Sequence, residues 1–169
     1  MLYYLLTMRI LGIDPGYDRL GIAILEKTSP KETVVFSECF KTSKTLPHAE
    51  RLHLVAEKIR AMIIEYKPDA IAIEKLFFTT NKKTALAVGE ARGVILAACA
   101  QSGMAVAEYA PNQIKLAVTG YGNADKTAVI KLVPKLVFMV KEVLQDDEMD
   151  AIAVAITHSC NVGYPQQKR

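Results

Sequence analysis

The stretch Met8-Arg-Ile-Leu-Gly-Ile-Asp14-Pro-Gly16 decides how the fold begins. Residues 8–13 form a largely apolar run that is typical of a buried strand, and Pro15-Gly16 indicates a turn directly after it. Asp14 therefore stands at the end of a buried strand. Burying an ionised carboxylate costs several kcal/mol unless another group compensates the charge, so an acid in this position is unusual.

Two later segments repeat this arrangement. Glu74 ends the apolar run Ala70-Ile-Ala-Ile-Glu74, and Asp147 and Asp150 precede the run Ala151-Ile-Ala-Val-Ala-Ile-Thr-His158. Three acidic positions at the ends of apolar runs suggest one shared compensator. A divalent metal ion is the simplest group that could fill this role.

The elements around Asp14 predict an α/β protein with a mixed sheet. Residues 20–26 and 33–40 are two further strands, so the chain opens as an antiparallel meander. Residues 47–66 have the spacing of an amphipathic helix, and residues 70–74 are typical of a strand buried on both faces. The later elements are a helix over 81–102, a strand over 104–109, short helices from Pro111 and from Asp125, and a last helix over 147–161. This order indicates a mixed sheet with helices on both faces.

Length and composition favour a single domain spanning residues 1–169. The 169 residues, 51% of them hydrophobic and 23% charged, suffice for one domain with a sizeable core. Residues 1–7 are interpreted either as an extension of the first strand or as a stretch before a second start at Met8, and residues 163–169 as a flexible tail. No apolar run approaches the roughly 18 residues that span a bilayer, and residues 1–7 lack the basic start of a signal peptide. We therefore expect a cytoplasmic protein that does not enter a membrane.

The predicted sheet can bring the acidic residues together. Ligand sites of open α/β sheets lie at the C-terminal ends of strands, so Asp14 and Glu74 become neighbours if their strands pair in parallel. Asp147 and Asp150 are three residues apart and share one face of the last helix. Asp146 and Asp150, four residues apart, share a face as well, so spacing alone does not choose between Asp146 and Asp147. An acidic first turn is also common because it complements the helix dipole.

The chemistry of these side chains indicates a hard metal ion. Two carboxylates about 4 Å apart repel by about 4 kcal/mol at an effective dielectric constant of about 20, and Mg²⁺ removes that repulsion. Zinc would usually bring histidine or cysteine ligands, and the cysteines and histidines show no metal-ligand spacing. Only His158, on the last helix, comes near the candidate site. Carboxylate ligation is also the pattern of two-metal phosphoryl chemistry.

Basic residues flank the acidic positions. They outnumber acidic residues over 75–92 and again over 111–145, and such a rim attracts an anionic polymer. Ordinary solvated helix faces are an equally good explanation of the charge count. The flanking basic residues of interest are Lys75, Lys82, Lys83, Arg92, Lys115 and Lys126.

Small residues support two further expectations. We expect Gly16, beside Asp14, to let a phosphate or a metal ion approach the backbone closely, whereas Gly12 and Gly21 serve strand packing. Small residues also recur at four-residue spacing on the helix over 81–102, which predicts a close-packed dimer face. These residues are Ala85, Gly89, Gly93 and Ala97.

Six segments, in order between Met8 and Asn161, resemble the RuvC-type Holliday junction resolvases. The segments are Gly-Ile-Asp14-Pro-Gly16, Ile-Glu74-Lys-Leu-Phe77, Ala91-Arg92-Gly93, Tyr109-Ala-Pro-Asn-Gln-Ile-Lys115, Gly120-Tyr-Gly-Asn-Ala-Asp-Lys126 and Asp147-Glu-Met-Asp150-Ala-Ile-Ala-Val-Ala-Ile-Thr-His158. The resemblance implies a ribonuclease H-like fold and a homodimer that cuts four-way DNA junctions by symmetric paired nicks in recombination and DNA repair. It also implies two Mg²⁺ ions per active site, for which Mn²⁺ can substitute, and a branch-migration motor complex as a partner.

The resemblance also assigns roles by position. The catalytic and metal-binding carboxylates that it implies are Asp14, Glu74, Asp147 and Asp150. It thereby selects Asp147 over Asp146. Lys115 and Lys126 correspond to lysines that contact the phosphate or stabilise the transition state.

Phe77 corresponds to an aromatic residue that the family uses near the junction centre. Stacking on an unpaired base stabilises such a contact by about 1–3 kcal/mol. Judged from the residues alone, Phe77 is equally well a core residue. The DNA-contacting set that we predict is Phe77, Lys75, Lys82, Lys83, Arg92, Lys115 and Lys126.

Three other functions remain open at this stage. A ribonuclease H-like nuclease that acts on RNA has the same motifs, and only its substrate distinguishes it. A non-catalytic junction-binding protein should lack some of the carboxylates, and all four are present. A nucleotide-binding phosphotransferase also begins with an Asp-x-Gly strand, but it needs two such domains and 169 residues leave no room for them.

Overall fold

The centre of the protein is one six-stranded sheet. A computed structural model describes residues 7–28, 31–76, 82–142 and 145–163, without the side chains of 82–84. Strands β1 (Met8–Asp14), β2 (Arg19–Lys27) and β3 (Thr33–Lys41) form the predicted antiparallel meander. The order of the strands across the sheet is β5-β4-β1-β2-β3-β6.

The remaining strands make the sheet mixed. Strand β4 (Ala70–Glu74) pairs in parallel with β1, and β5 (Val106–Tyr109) pairs in parallel with β4. The two-residue strand β6 (Phe138–Met139) adds to β3 in parallel at the opposite edge. The sequence did not indicate β6, because two residues are too few to show an alternating pattern.

Five helices cover the sheet. They are α1 (His48–Tyr66), α2 (Lys82–Gln101), α3 (Pro111–Thr119), α4 (Lys126–Leu136) and α5 (Asp146–Asn161). All five were predicted, and α1, α2 and α5 match the predicted bounds within one residue, although Asn81 lies outside the described residues. For α3 and α4 only the starts were predicted, and these also agree within one residue. Strand β5 begins at Val106, although the sequence predicted a strand over 104–109. The N–H of Met104 donates to the carbonyl oxygen of Cys99 at the end of α2, so Met104 belongs to the turn after that helix. No helix in the described ranges has both the length and the apolar composition that crossing a bilayer requires.

Alternate residues of the strands give the sheet two different faces. One face carries large branched side chains that pack against α1 and α2. They are Leu11, Ile13, Leu20, Ile22, Ile24, Ile71 and Ile73. The other face is lined near its centre by small residues, and α5 packs directly on them. Gly12, Gly21, Ala23 and Ala72 lie on this second face.

The small residues let α5 come close to the strands. A Cβ atom on Gly12 would lie 2.3 Å from the carbonyl oxygen of Ala151, and one on Gly21 would lie 2.1 Å from that of Asp147. Residues Ala151 to Ile156 of α5 are at most 3% exposed, so the helix is buried on all sides by the sheet, α3 and α4. Gly12 and Gly21 therefore fix the position of α5, which confirms their expected packing role.

Candidate metal centre and active site

Asp14 and Glu74 lie side by side at the C-terminal edge of the parallel strands. The register pairs Ile13 of β1 with Ile73 of β4, and each acid is the next residue of its strand. Side chains alternate along a strand, so Asp14 shares the face of Gly12 and Glu74 shares the face of Ala72. Both acids therefore point to the side of the sheet on which α5 lies.

The first turn of α5 crosses this edge. Asp147 and Asp150 are both partly buried, with side chains 20% and 25% exposed, whereas the Asp146 side chain is 64% exposed. Glu148 turns the other way, where its carboxylate accepts hydrogen bonds from Ser37 Oγ at 2.7 Å and Lys141 Nζ at 3.0 Å. The structure thus places Asp147 and Asp150 beside Asp14 and leaves Asp146 at the surface.

The pKa values show that the four carboxylates act on one another. Burial raises the pKa of Asp14 well above its ordinary value, and the negative charges of Glu74, Asp150 and Asp147 raise it further. Burial also raises the pKa of Glu74 and of Asp150, and Asp150 adds to the effect on Glu74. The side chain of Asp14 opposes part of the rise in the pKa of Glu74, so the two carboxyl groups interact directly.

Two lysines face the acidic cluster from α3 and α4. Lys126 begins α4 after the N-cap Asp125, and its Nζ lies 2.9 Å from Asp150 Oδ2 and 3.7 Å from Asp146 Oδ2. Lys115 and Lys126 both lower the pKa of Glu74, against the larger effect of burial. Between these residues is an open cleft of about 190 Å³, which is lined by Glu74, Pro111, Ile114, Lys115, Lys126, Val129 and Asp150.

Arg19 is a further cation at the cluster, and the sequence did not indicate it. Its guanidinium forms an ion pair with Asp147 and donates to Gln145 Oε1 at 3.2 Å. Cys39 Sγ lies 3.6 Å from Asp147 Oδ2 on the same side. The predicted meander could have indicated Arg19 as a neighbour of the cluster. Antiparallel pairing places Gly21 beside Asp14, and Arg19 lies on the same face of β2 as Gly21.

The donor set fits a hard divalent cation, but it is not fully assembled. Four carboxylates at one strand edge are the ligand type that Mg²⁺ and Mn²⁺ prefer. Within the described ranges, no three His, Cys, Asp or Glu side chains are arranged so that they could hold one ion. The contacts give a reason, because Arg19 holds Asp147 and Lys126 holds Asp150.

Some predicted site residues lie away from this cluster. The guanidinium of Arg92 forms an ion pair with Glu108, which ties α2 to β5, and its predicted contact with DNA stays a prediction. His158 lies near the other end of α5, where its Nδ1 is 2.9 Å from the hydroxyl of Tyr109. Burial lowers the pKa of His158, so the neutral ring is favoured.

Gly16 has a role in the turn that was not predicted, and its expected role beside a phosphate or a metal ion stays a prediction. A Cβ atom there would lie 1.8 Å from the carbonyl oxygen of Arg19, so the tight connection from β1 to β2 requires the glycine. Lys75 is exposed directly after Glu74 and points to the opposite face of the strand. Phe77 and the side chains of Lys82 and Lys83 lie outside the described residues.

Comparisons with known proteins agree with this geometry. The family model for crossover junction endodeoxyribonuclease RuvC matches residues 10–158. The crossover junction endodeoxyribonuclease RuvC of Thermosipho melanesiensis is 46% identical over 148 residues, which cover 88% of this chain and 94% of that protein. Thermus thermophilus RuvC, solved in complex with a Holliday junction substrate, has a TM-score of 0.83 and 32% identity over 90% of this chain and 93% of that one.

A more distant structure shows the same fold. The yeast mitochondrial Holliday junction resolvase has a TM-score of 0.69 at 11% identity and covers 89% of this chain and 77% of its own. The predicted ribonuclease H-like mixed sheet is thereby confirmed. On the family match and the sequence identity together, the chain belongs to the crossover junction endodeoxyribonuclease RuvC family.

Proposed function

We propose that this chain is a structure-selective endonuclease that resolves four-way (Holliday) DNA junctions by symmetric paired nicks in recombination and DNA repair. The observation that carries the proposal is the meeting of Asp14 and Glu74 under the first turn of α5, with Asp147 and Asp150 beside them. Membership of the RuvC family supports a four-way DNA junction as the substrate of this chain. We also propose that the whole chain forms a single nuclease domain.

Asp14, Glu74, Asp147 and Asp150 are the residues that we expect to hold two Mg²⁺ ions, with Mn²⁺ as a substitute. When bound, such ions supply an activated water for in-line attack on the phosphate and stabilise the leaving 3′ oxygen. The protein contributes the fixed geometry, because two of these acids end paired strands and two occupy one helical turn.

Lys115 and Lys126 complete the catalytic set in this proposal. Both side chains line the cleft beside Glu74 and Asp150, where a scissile phosphate would meet them. A positive charge placed there attracts the backbone and stabilises the charge that develops during hydrolysis. The proposed outer DNA contacts are Lys75, Lys82, Lys83 and Arg92. Phe77 is proposed as the aromatic residue that stacks at the junction centre.

The proposal includes a homodimer. A four-way junction has approximate two-fold symmetry, so an isologous dimer can place one active site on each of two opposing strands. Helix α2 is the candidate dimer face, because Gly93 and Ala97 are exposed on it and a Cβ atom on Gly89 or Gly93 would meet nothing within 4 Å. A branch-migration motor complex is the proposed partner, and the cytoplasm is the proposed location.

A substrate comparison tests the proposal. Wild type, Asp14→Asn and Glu74→Gln are incubated with a synthetic four-way junction, the matched duplex and an RNA–DNA hybrid, each with Mg²⁺ or with a chelator. We expect all three proteins to bind the junction and only wild type to cut it, because losing one ligand should cost several kcal/mol, or more than about a hundredfold in rate. Preferred cutting of the hybrid would instead support the RNA-directed alternative.

Binding of the junction by wild type without cutting in any metal would support the non-catalytic alternative. Cutting by Asp14→Asn or Glu74→Gln at the wild-type rate would remove that carboxylate from the site. Both outcomes are distinguishable from misfolding by the circular dichroism and melting temperature of each variant.

A further inference from the structure

The carboxylate of Asp147 is held by a cation that belongs to the protein itself. The guanidinium of Arg19 pairs with Asp147 and is fixed at a second point by Gln145 Oε1 at 3.2 Å. Cys39 Sγ, 3.6 Å from Asp147 Oδ2, contacts the same oxygen from β3. Asp147 therefore has partners on both β2 and β3.

The strand geometry explains why Arg19 reaches this point. Arg19 and Gly21 are two residues apart on β2 and share the face on which α5 lies, and Gly21 pairs with both Asp14 and Cys39. Because α5 packs closely against Gly21, the first turn of α5 lies next to Arg19. The pairing is thus fixed by the same close contact that positions the acidic cluster.

Arg19 and Lys126 draw the two acids of α5 in different directions. Arg19 approaches Asp147 from β2, whereas Lys126 approaches Asp150 from α4. Each contact neutralises a charge that would otherwise repel Asp14 and Glu74. Both carboxylates are thus engaged by cations of the protein itself, and no three acidic, His or Cys side chains of the described residues are arranged to hold one ion.

We propose that Arg19 is a built-in counterion of Asp147, which a divalent cation must displace, and that Arg19 thereby sets how tightly the site binds metal. The inference rests on the proposed metal-dependent function and names a residue that regulates it. The Arg19 side chain is 48% exposed and that of Asp147 is 20% exposed, so the ion pair is partly screened and can exchange. Arg19 acts through Asp147 and is a positioning residue rather than a catalytic one.

The test is a calorimetric titration of the DNA-free protein with Mn²⁺, which measures the affinity for the ion. Arg19→Gln removes the competing charge and should bind Mn²⁺ about three- to fivefold more tightly, the size expected for a partly exposed ion pair. Arg19→Lys keeps a charge but not the planar guanidinium and should bind between the two. Unchanged or weaker binding by Arg19→Gln would overturn the proposal.

Arg60→Gln is the matched control. Arg60 lies on α1 against the other face of the sheet, is 35% exposed, and pairs with Glu57 at 2.5 Å. Its removal changes the net charge equally, so Mn²⁺ affinity should stay within about twofold of wild type if the effect of Arg19 is local. An equal gain in both variants would show a long-range charge effect and would count against a specific counterion.

A second measurement on wild type does not depend on a variant that folds. Phenylglyoxal modifies free guanidinium groups, and peptide mass spectrometry follows the rate at Arg19. Saturating Mn²⁺ should accelerate the modification at Arg19 severalfold and leave that at Arg60 unchanged.

No acceleration, or no binding of Mn²⁺ at all, overturns the inference. If wild type cuts the junction but Arg19→Gln binds Mn²⁺ with wild-type affinity, this inference alone is refuted. If Mn²⁺ releases Arg19 as expected but wild type does not cut the junction, only the proposed function is refuted.

Discussion

Gly12 and Ala151 are in direct contact across the interface between β1 and α5. A Cβ atom on Gly12 would lie 2.3 Å from the carbonyl oxygen of Ala151, a distance that real Cβ atoms do not show. Ala151 follows Asp150 in α5, and Gly12 precedes Asp14 by two residues on β1. The contact therefore sets the distance between the strand acids and the helix acids.

Replacing Gly12 by alanine should push α5 away from the sheet. We expect a loss of about 1–3 kcal/mol in the free energy of unfolding, as in other overpacked cores, together with slower cleavage of the junction. Urea unfolding measures the first effect. Gly163→Ala is the control, because a Cβ atom there meets nothing within 4 Å and should change neither quantity. Equal stability of Gly12→Ala and wild type would show that the contact is easily relieved.

Asp14→Asn should stabilise the protein when metal is removed by a chelator. Burial and neighbouring charges raise the pKa of Asp14 in the folded state, so the unfolded chain loses this proton at lower pH. The folded state then binds more protons, and stability falls as pH rises from about 4, the ordinary pKa of an aspartate. Asparagine carries no such proton and removes this loss.

The melting temperatures of both proteins between pH 4 and pH 8 measure this difference. The advantage of Asp14→Asn should be absent near pH 4 and grow towards pH 8, with each kcal/mol seen as about 2–4 °C in a chain of this length. Glu142→Gln, which removes an exposed carboxylate outside the cluster, should show no such trend. A constant advantage at every pH would contradict a buried proton at Asp14.

Lys115→Ala should weaken both catalysis and the dependence of binding on salt. The side chain lines the cleft with Glu74 and Asp150, so its loss removes one phosphate contact and should slow cleavage by about a hundredfold. A plot of log affinity for the junction against log salt should become less steep by about 1. Lys131→Ala, on the exposed side of α4, should keep wild-type cleavage. If Lys115→Ala retained both values, the lysine would not belong to the site.

Gly93→Leu tests the proposed dimer face on α2. A Cβ atom on Gly93 meets nothing within 4 Å in the single chain, so the larger residue should leave the fold of the monomer intact. It should, however, block close approach of a second α2 and shift the protein to monomers, as measured by light scattering after gel filtration. An unchanged dimer would place the interface elsewhere on the surface.

The sequence contained enough information for most of the fold. The strand that ends at Asp14 and the one that ends at Glu74 are apolar runs bounded by turn residues. Their parallel pairing was only a condition of the prediction, and the structure confirms it. Strand β6 was not predicted, because Phe138 and Met139 give no periodic signal. Its existence depends on pairing with Val34, which is distant in the sequence.

The position of a site residue could be predicted from the sequence where its own strand or helix determines that position. Asp14 and Glu74 are placed by the ends of their strands, whereas Arg19 and Cys39 reach Asp147 only because three separate elements meet. The ion pair of Arg92 with Glu108 was not predicted, because the two residues lie on different elements. The catalytic roles of the carboxylates and lysines stay predictions until the variants are measured.

Junction cutting with each of the four strands labelled in turn tests the central claim most directly. In Mg²⁺, wild type should nick two opposing strands at symmetric positions, and the nicks should be closed by DNA ligase. The matched duplex should stay intact, and neither Asp14→Asn nor chelated wild type should cut. Equal cutting of duplex and junction, or cutting by Asp14→Asn at the wild-type rate, would contradict a junction resolvase whose metal centre includes Asp14.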